Sequence, residues 1–372
     1  MDKKSIAIFF LLLLVPFGAY FIRPDFVAND TYGTLLLVCQ NNNIMGAEGA
    51  SYLLFSVLPC NFLVLKALLF CLAFVSGYFI IKMATLFNEK NGWRACYLIF
   101  LSATLVMEFV KFENEQFAYP IMFASLYFFF HSLKKSNNKT FLLSLALLVP
   151  AGLIWGGAIY YLIAYSLHIG IMLLLFVPFI LIPFPNNPLY FRTLLGHILR
   201  TNIIAEDLPL KFLQSHFILI FGVWGLAFER MLLPSGLFLF LIGAASNKFW
   251  ILSLPFLLIG IIRLIDETKV KWLHTVFAIV AIILVAGLAQ SVWLNPPTQE
   301  HWQAIDYALE IDNNINNDWG MGYWVLWKGG TTASYQSMWL QQPDMPKQIR
   351  ITEFDSNCSP VEEFGRVHVR LC

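Results

Sequence analysis

Charge is scarce in this sequence. Of its 372 residues only 13% are Asp, Glu, Lys or Arg, about half the roughly 25% of an ordinary soluble domain. With 58% hydrophobic residues and a mean hydropathy of +0.67, there is too little polar surface to cover a water-soluble fold. The 24 basic and 23 acidic residues leave a net charge of +1, which excludes a broad basic face for nucleic acid and makes any electrostatic function local. Neither a Walker loop nor a dinucleotide fingerprint is present, which disfavours use of a nucleotide sugar. No Ser/His/Asp constellation stands out among the seven histidines; His168 in an apolar run and His131 beside lysines read as structural. The six cysteines, Cys39, Cys60, Cys71, Cys96, Cys358 and Cys372, show no CxxC spacing. Neither a zinc site nor a disulfide framework is therefore expected.

What the sequence has in abundance is apolar blocks, several of them near the ~20 residues that a helix needs to cross the hydrocarbon core. The expected fold class is an all-α multi-pass membrane protein. Lys3 and Lys4 precede an apolar run to Ile22 with no small-residue cleavage site before Arg23, so the run reads as a retained first span with a cytoplasmic N-terminus. Residues 23–59 then emerge outside. A second span over 61–84 returns to Lys90 and Arg94, and the next two spans form a hairpin with its outer tip at 111–116 and its inner end at Lys134, Lys135 and Lys139. From the other end, Arg263, Lys269 and Lys271 mark an inner turn, 278–293 exits, and the C-terminus is extracytoplasmic. The block 141–184 must then cross an odd number of times, with breaks near Pro150, Gly156 and Ser166. The total is about eleven spans, with nine as the alternative count. Residues 1–293 form the membrane domain and 294–372 a small outer appendage. In the appendage Trp302, Ile305, Ala308 and Leu309 share one face of an amphipathic helix, followed by a polar linker of asparagines at 313–317.

Carboxylates beside a bilayer are costly unless hydrated, paired or bound to a cation. Asp30, Glu113, Glu115 and Glu206 all fall on the expected outer side. Three or four gathered carboxylates suit a hard divalent cation, Mg2+ or Mn2+. Each alone also reads as a solvated charge at a helix end. Lys248, a lone outer cation, reads either as an interfacial anchor or as a phosphate contact.

Three segments in chain order, ANDTYG with Asp30, FENEQFA with Glu113 and Glu115, and DWGMGYW over 318–324, resemble the catalytic subunits of oligosaccharyltransferases, enzymes of the GT-C class. The resemblance implies a GT-C-like bundle with Asp30, Glu113 and Glu115 as metal ligands and Glu206, in AEDLPL, as a further catalytic acid. It implies that Lys248, in NKFWILSLP, meets the phosphate of a polyprenyl-linked sugar donor, and that Trp319 and Tyr323 belong to the acceptor-binding segment. Gly320 stands where the family signature has its acceptor-reading Asp, so sequon recognition is not implied. The expected function is transfer of a glycan from a polyprenyl phosphate or pyrophosphate to an acceptor, protein asparagine included. The alternatives are transfer onto a lipid, glycan or hydroxyl, and a non-catalytic transporter of lipid-linked glycans.

Overall fold

The computed structural model describes residues 3–42, 49–169, 220–245, 249–317, 321–332, 349–353 and 358–371. It is mostly helical. The N-terminal half runs through α1 (Lys3–Ile22), α2 (Asn29–Gln40), α3 (Gly49–Ser56), α4 (Phe62–Phe87), α5 (Ala95–Leu98), α6 (Thr104–Phe109), α7 (Asn114–Lys135), α8 (Asn138–Ile154) and α9 (Ala158–Ile169). After an interval outside the described residues come α10 (Ile220–Leu226), α11 (Leu233–Ala245), α12 (Trp250–Thr268) and α13 (Lys271–Leu294).

Among the described residues three helices are long and apolar enough to cross a membrane: α1, α4 and the one that begins beside Trp272. That third helix, α13, exposes Trp272, Ile282, Ile283 and Trp293. Its two tryptophans are about 21 residues apart, roughly 31 Å along a helix, which matches a hydrocarbon core about 30 Å thick with aromatic side chains at both boundaries. Shorter apolar helices, α8, α9 and α11 among them, pack on α7, α12 and one another.

The described residues do not carry eleven such helices, and the third expected span shows why a count from apolar runs overshoots. Between Gly92 and Phe109 the chain forms two 3-10 turns around α5 and then breaks before α6. At the break the Ser102 hydroxyl accepts from the Thr104 amide (3.1 Å) and donates to Thr104 Oγ1 (2.8 Å). Such local side-chain bonds offer the backbone an alternative to the helical ladder. The expected break at Gly156 is present, between α8 and α9, whereas Pro150 and Ser166 lie inside those helices.

Polar contacts collect at two opposite ends of the bundle. At one end Asp266 accepts from Asn88 (2.6 Å), Asn91 (2.8 Å) and Arg94 (3.1 Å), and Arg263 pairs with Glu229 and donates to the Phe87 carbonyl. At the other end Arg23 donates to the carbonyls of Val292 (2.8 Å), Asn295 (2.6 Å) and Pro297, clasping the end of α1 to the end of α13. Buried Lys66 reaches the carbonyls of Tyr20 (3.0 Å) and Arg23 (2.5 Å). A cation over the carbonyl end of α1 satisfies oxygens that no amide reaches and suits the helix dipole. Lys66→Met is expected to lower stability by about 1–3 kcal/mol through those abandoned acceptors, measured as a lower midpoint in detergent-mediated unfolding.

Tight packing joins α10 to α12. A Cβ on Gly225 would stand 1.7 Å from the Gly260 carbonyl oxygen, and one on Gly260 only 1.9 Å from that of Gly222. The two backbones touch because none of the three positions carries a side chain.

Two expectations are corrected here. The chain is not all-α, because the appendage is built on a five-stranded sheet of order β2–β1–β3–β5–β4. It begins with α14 (Gln299–Ile311), β1 (Asn314–Asn317), α15 (Gly322–Trp327) and β2 (Thr331–Thr332), and closes with β3 (Ile349–Thr352), β4 (Ser359–Phe364) and β5 (Val367–Leu371). Strands β2, β1 and β3 are parallel, while β3, β5 and β4 are antiparallel. The asparagine run read as a linker is β1, with Ile315, Asn316 and Asn317 buried; strands this short lie below the window in which period-two patterning is visible. Helix α14 keeps its expected face, burying Ile305 and Ala308, and packs on the sheet. The second correction concerns cysteine. Cys39 and Cys60 form a disulfide, and Cys358 is also disulfide-bonded, while Cys71 and Cys96 are free. A disulfide needs only proximity in space, and α3 folds the chain back so that the two ends of a 21-residue interval meet.

Candidate functional site

Helix α2 is the hub of the site. The chain enters it through Ala28, whose φ of 67° lies in the region disfavoured for an L-residue with a side chain. The cost is about 1–3 kcal/mol, of the kind that concentrates at functional positions. The Ala28 amide is held by the Pro296 carbonyl at 3.0 Å. Asp30 follows in the first turn of α2, half-buried, where a carboxylate suits the positive helix end.

One hydrogen bond brings the second acidic segment to the first. The Phe112 amide donates to Thr31 Oγ1 at 3.0 Å across 81 residues of sequence, which sets Asp30 and Glu113 on neighbouring stretches of backbone. Phe112 is fixed there by ring contacts with Phe26, Phe55 and Phe117. Glu113 is also the N-cap of α7, in a capping box with Gln116 whose Oε1 accepts from the Glu113 amide at 3.0 Å. Glu115 is buried in the first turn of α7.

The tail segment arrives at the same helix. Tyr32, two residues beyond Asp30, makes edge contacts with Trp302 (5.5 Å) and Trp327 (5.6 Å), and α15, which carries Tyr323, packs along α2. Trp302 is further anchored by its indole N–H on Asp25 at 2.9 Å. Three motif segments, ANDTYG, FENEQFA and the GYW end of DWGMGYW, therefore meet around α2. Glu206, Lys248 and Trp319 lie outside the described residues.

Two groups in this region carry no signal in the sequence. Glu108 pairs with Lys111 at 3.4 Å. Tyr119, fully buried, has a hydroxyl without a hydrogen-bond partner and lies within electrostatic reach of Glu108, Glu115 and Glu113. A tyrosine inside an apolar helix carries no signal that its hydroxyl faces carboxylates; only the helical phase of Glu115 and Tyr119, four apart, hints at it. Among the described residues no three His, Cys, Asp or Glu side chains are gathered so as to hold a metal ion. The Thr31–Phe112 bond brings the segments of Asp30 and Glu113 together, but the ligand set implied by the resemblance is not closed within these residues.

A second polar cluster lies within the appendage. His301 Nδ1 accepts from the Thr298 amide (3.2 Å), so its Nε2–H donates to Glu353 (3.0 Å), which also pairs with Arg366. Burial holds the His301 imidazole below its ordinary value, opposed by Glu353 and nearby Glu300 and aided by Arg366. A depressed histidine favours the fold while neutral, so its contribution is full above about pH 6.5 and is lost as pH falls below that. Proteolysis of the appendage is expected to accelerate between about pH 6.5 and 5, and His301→Gln to flatten that dependence.

No family model matches the chain, and no curated protein matches it in sequence.

Proposed function

We propose that the chain is a membrane glycosyltransferase of the oligosaccharyltransferase type, moving a glycan from a polyprenyl phosphate or pyrophosphate to an acceptor at the extracytoplasmic face. The observation that carries this reading is the meeting of the Asp30, Glu113 and Tyr323 segments on α2, since the same segments carry the resemblance. Orientation has its own support. The bonded cysteines Cys39, Cys60 and Cys358 belong to the end of the bundle that bears Asp30 and to the appendage, and disulfides persist in oxidising compartments. The opposite end carries Lys134, Arg94 and Arg263, as a cytoplasmic face should. The full set of about eleven spans belongs to this reading.

In the proposed reaction Asp30, Glu113 and Glu115, with Glu206, would hold Mg2+ or Mn2+, which supplies positive charge beside the donor phosphate. The Asp30 and Glu113 carboxylates orient the acceptor. Tyr323 and Trp319 form the acceptor side, and Lys248 neutralises the lipid phosphate. The strategy is placement and electrostatic stabilisation rather than a covalent intermediate. The test is a donor-dependent gain of glycan mass on a protein acceptor, abolished by chelator. Gain of mass on lipid or glycan only would redirect the acceptor, and no gain with any acceptor would refute the reading.

A further inference from the structure

At the Asp266 end of the bundle, far from α2 along both α1 and α4, a cleft of about 470 Å³ opens between the start of α1 and the end of α4. Its size falls in the ~300–1,000 Å³ range of small-ligand sites. Its lining combines apolar and charged side chains. Ile8 and Trp93, each 39% exposed, form its apolar part, and Lys4, Glu89 and Lys90, all exposed, form its rim. Thr85 closes the wall with its hydroxyl committed to the Ile81 carbonyl at 2.9 Å. On both helices the apolar run stops at this level: Lys3 and Lys4 precede the run of α1, and Asn88 to Asn91 follow the run of α4. The rim charges therefore sit at headgroup depth, with an exposed tryptophan beside them as at a membrane boundary.

The geometry points to a site for a single phospholipid headgroup, and the charge pattern selects phosphoethanolamine. Two lysines match one phosphate, and basic clefts between membrane helices hold lipid headgroups in this way. A cleft built for phosphate alone would have no use for Glu89, which repels it. A primary ammonium on the same ligand gives that carboxylate a charge-assisted hydrogen-bond partner, which neither a glycerol headgroup nor a quaternary choline provides. Ile8 and Trp93 then face the upper acyl chains. The site is independent of the transferase reading.

The experiment is native mass spectrometry of the full chain in detergent, titrated in turn with palmitoyl-oleoyl phosphatidylethanolamine, phosphatidylglycerol and phosphatidylcholine. Phosphatidylethanolamine is expected to be retained about tenfold more than phosphatidylcholine, and Lys4→Ala with Lys90→Ala to remove about tenfold of that retention. Glu89→Gln, an isosteric change on an exposed side chain, should leave the unfolding midpoint in place and erase the preference for ethanolamine over glycerol. Equal retention of all three lipids, or an undiminished ethanolamine preference in Glu89→Gln, would overturn the assignment even if the lysine variant fails to fold.

Discussion

Asp30→Asn is expected to reduce glycan transfer about a thousandfold, the scale seen when one preorganised electrostatic group is removed from a reaction centre. The substitution keeps size and polarity and removes one charge in the first turn of α2. Fold stability should fall by no more than about 1 kcal/mol, the worth of a carboxylate at a helix start. Transfer and unfolding midpoint, measured on the same preparation, separate the roles: a large loss of rate with an unchanged midpoint assigns Asp30 to the chemistry. Glu113→Gln makes a sharper companion, because the amide oxygen can still accept from the first turn of α7 while the carboxylate charge is gone. Both variants transferring glycan at the parental rate would remove Asp30 and Glu113 from the chemistry.

Gly260→Ala should be among the most damaging single-methyl additions to the described residues of the bundle. Its Cβ would stand 1.9 Å from the Gly222 carbonyl oxygen, and backbone, unlike a side-chain tip, cannot swing aside. Helices α10 and α12 must part, at a cost of about 3 kcal/mol or more, the upper range of overpacking. Gly287→Ala supplies the control. It lies in α13 with nothing within 4 Å of the added carbon, and alanine in an open helical position is favoured by about 0.8–1 kcal/mol. Opposite shifts in the unfolding midpoint are expected from the same chemical change, and equal shifts would show that the close crossing is absent.

Much of the helical frame is legible in the sequence because two devices agree along it. Long apolar runs bounded by lysines identify α1 and α4, and Asn61 and Asn137 accept from the first amides of α4 and α8 as N-caps should. The region 92–109 defeats that reading, since the hydroxyls of Ser102 and Thr104 interrupt a run that is otherwise apolar. The sheet of the appendage escapes it for another reason: β1 is polar in composition yet buried, and its neighbour β3 lies more than 30 residues away. At the site, order along the chain suffices to nominate Asp30 and Glu113, but not to say what joins them. The Thr31–Phe112 bond is a single contact between residues with no local pattern, and the same holds for the Tyr32 contacts with Trp302 and Trp327. Burial, not position, distinguishes Tyr119.

The grip of Arg23 on the carbonyls of Val292, Asn295 and Pro297 makes bilayer thickness a mechanical input. A helix whose apolar length is fixed by Trp272 and Trp293 answers a thinner membrane by tilting. The end of α13 is fastened to Arg23, and Pro296 is bonded to Ala28, two residues before Asp30. A change in acyl-chain length that tilts α13 is therefore expected to reach the start of α2 through these two bonds.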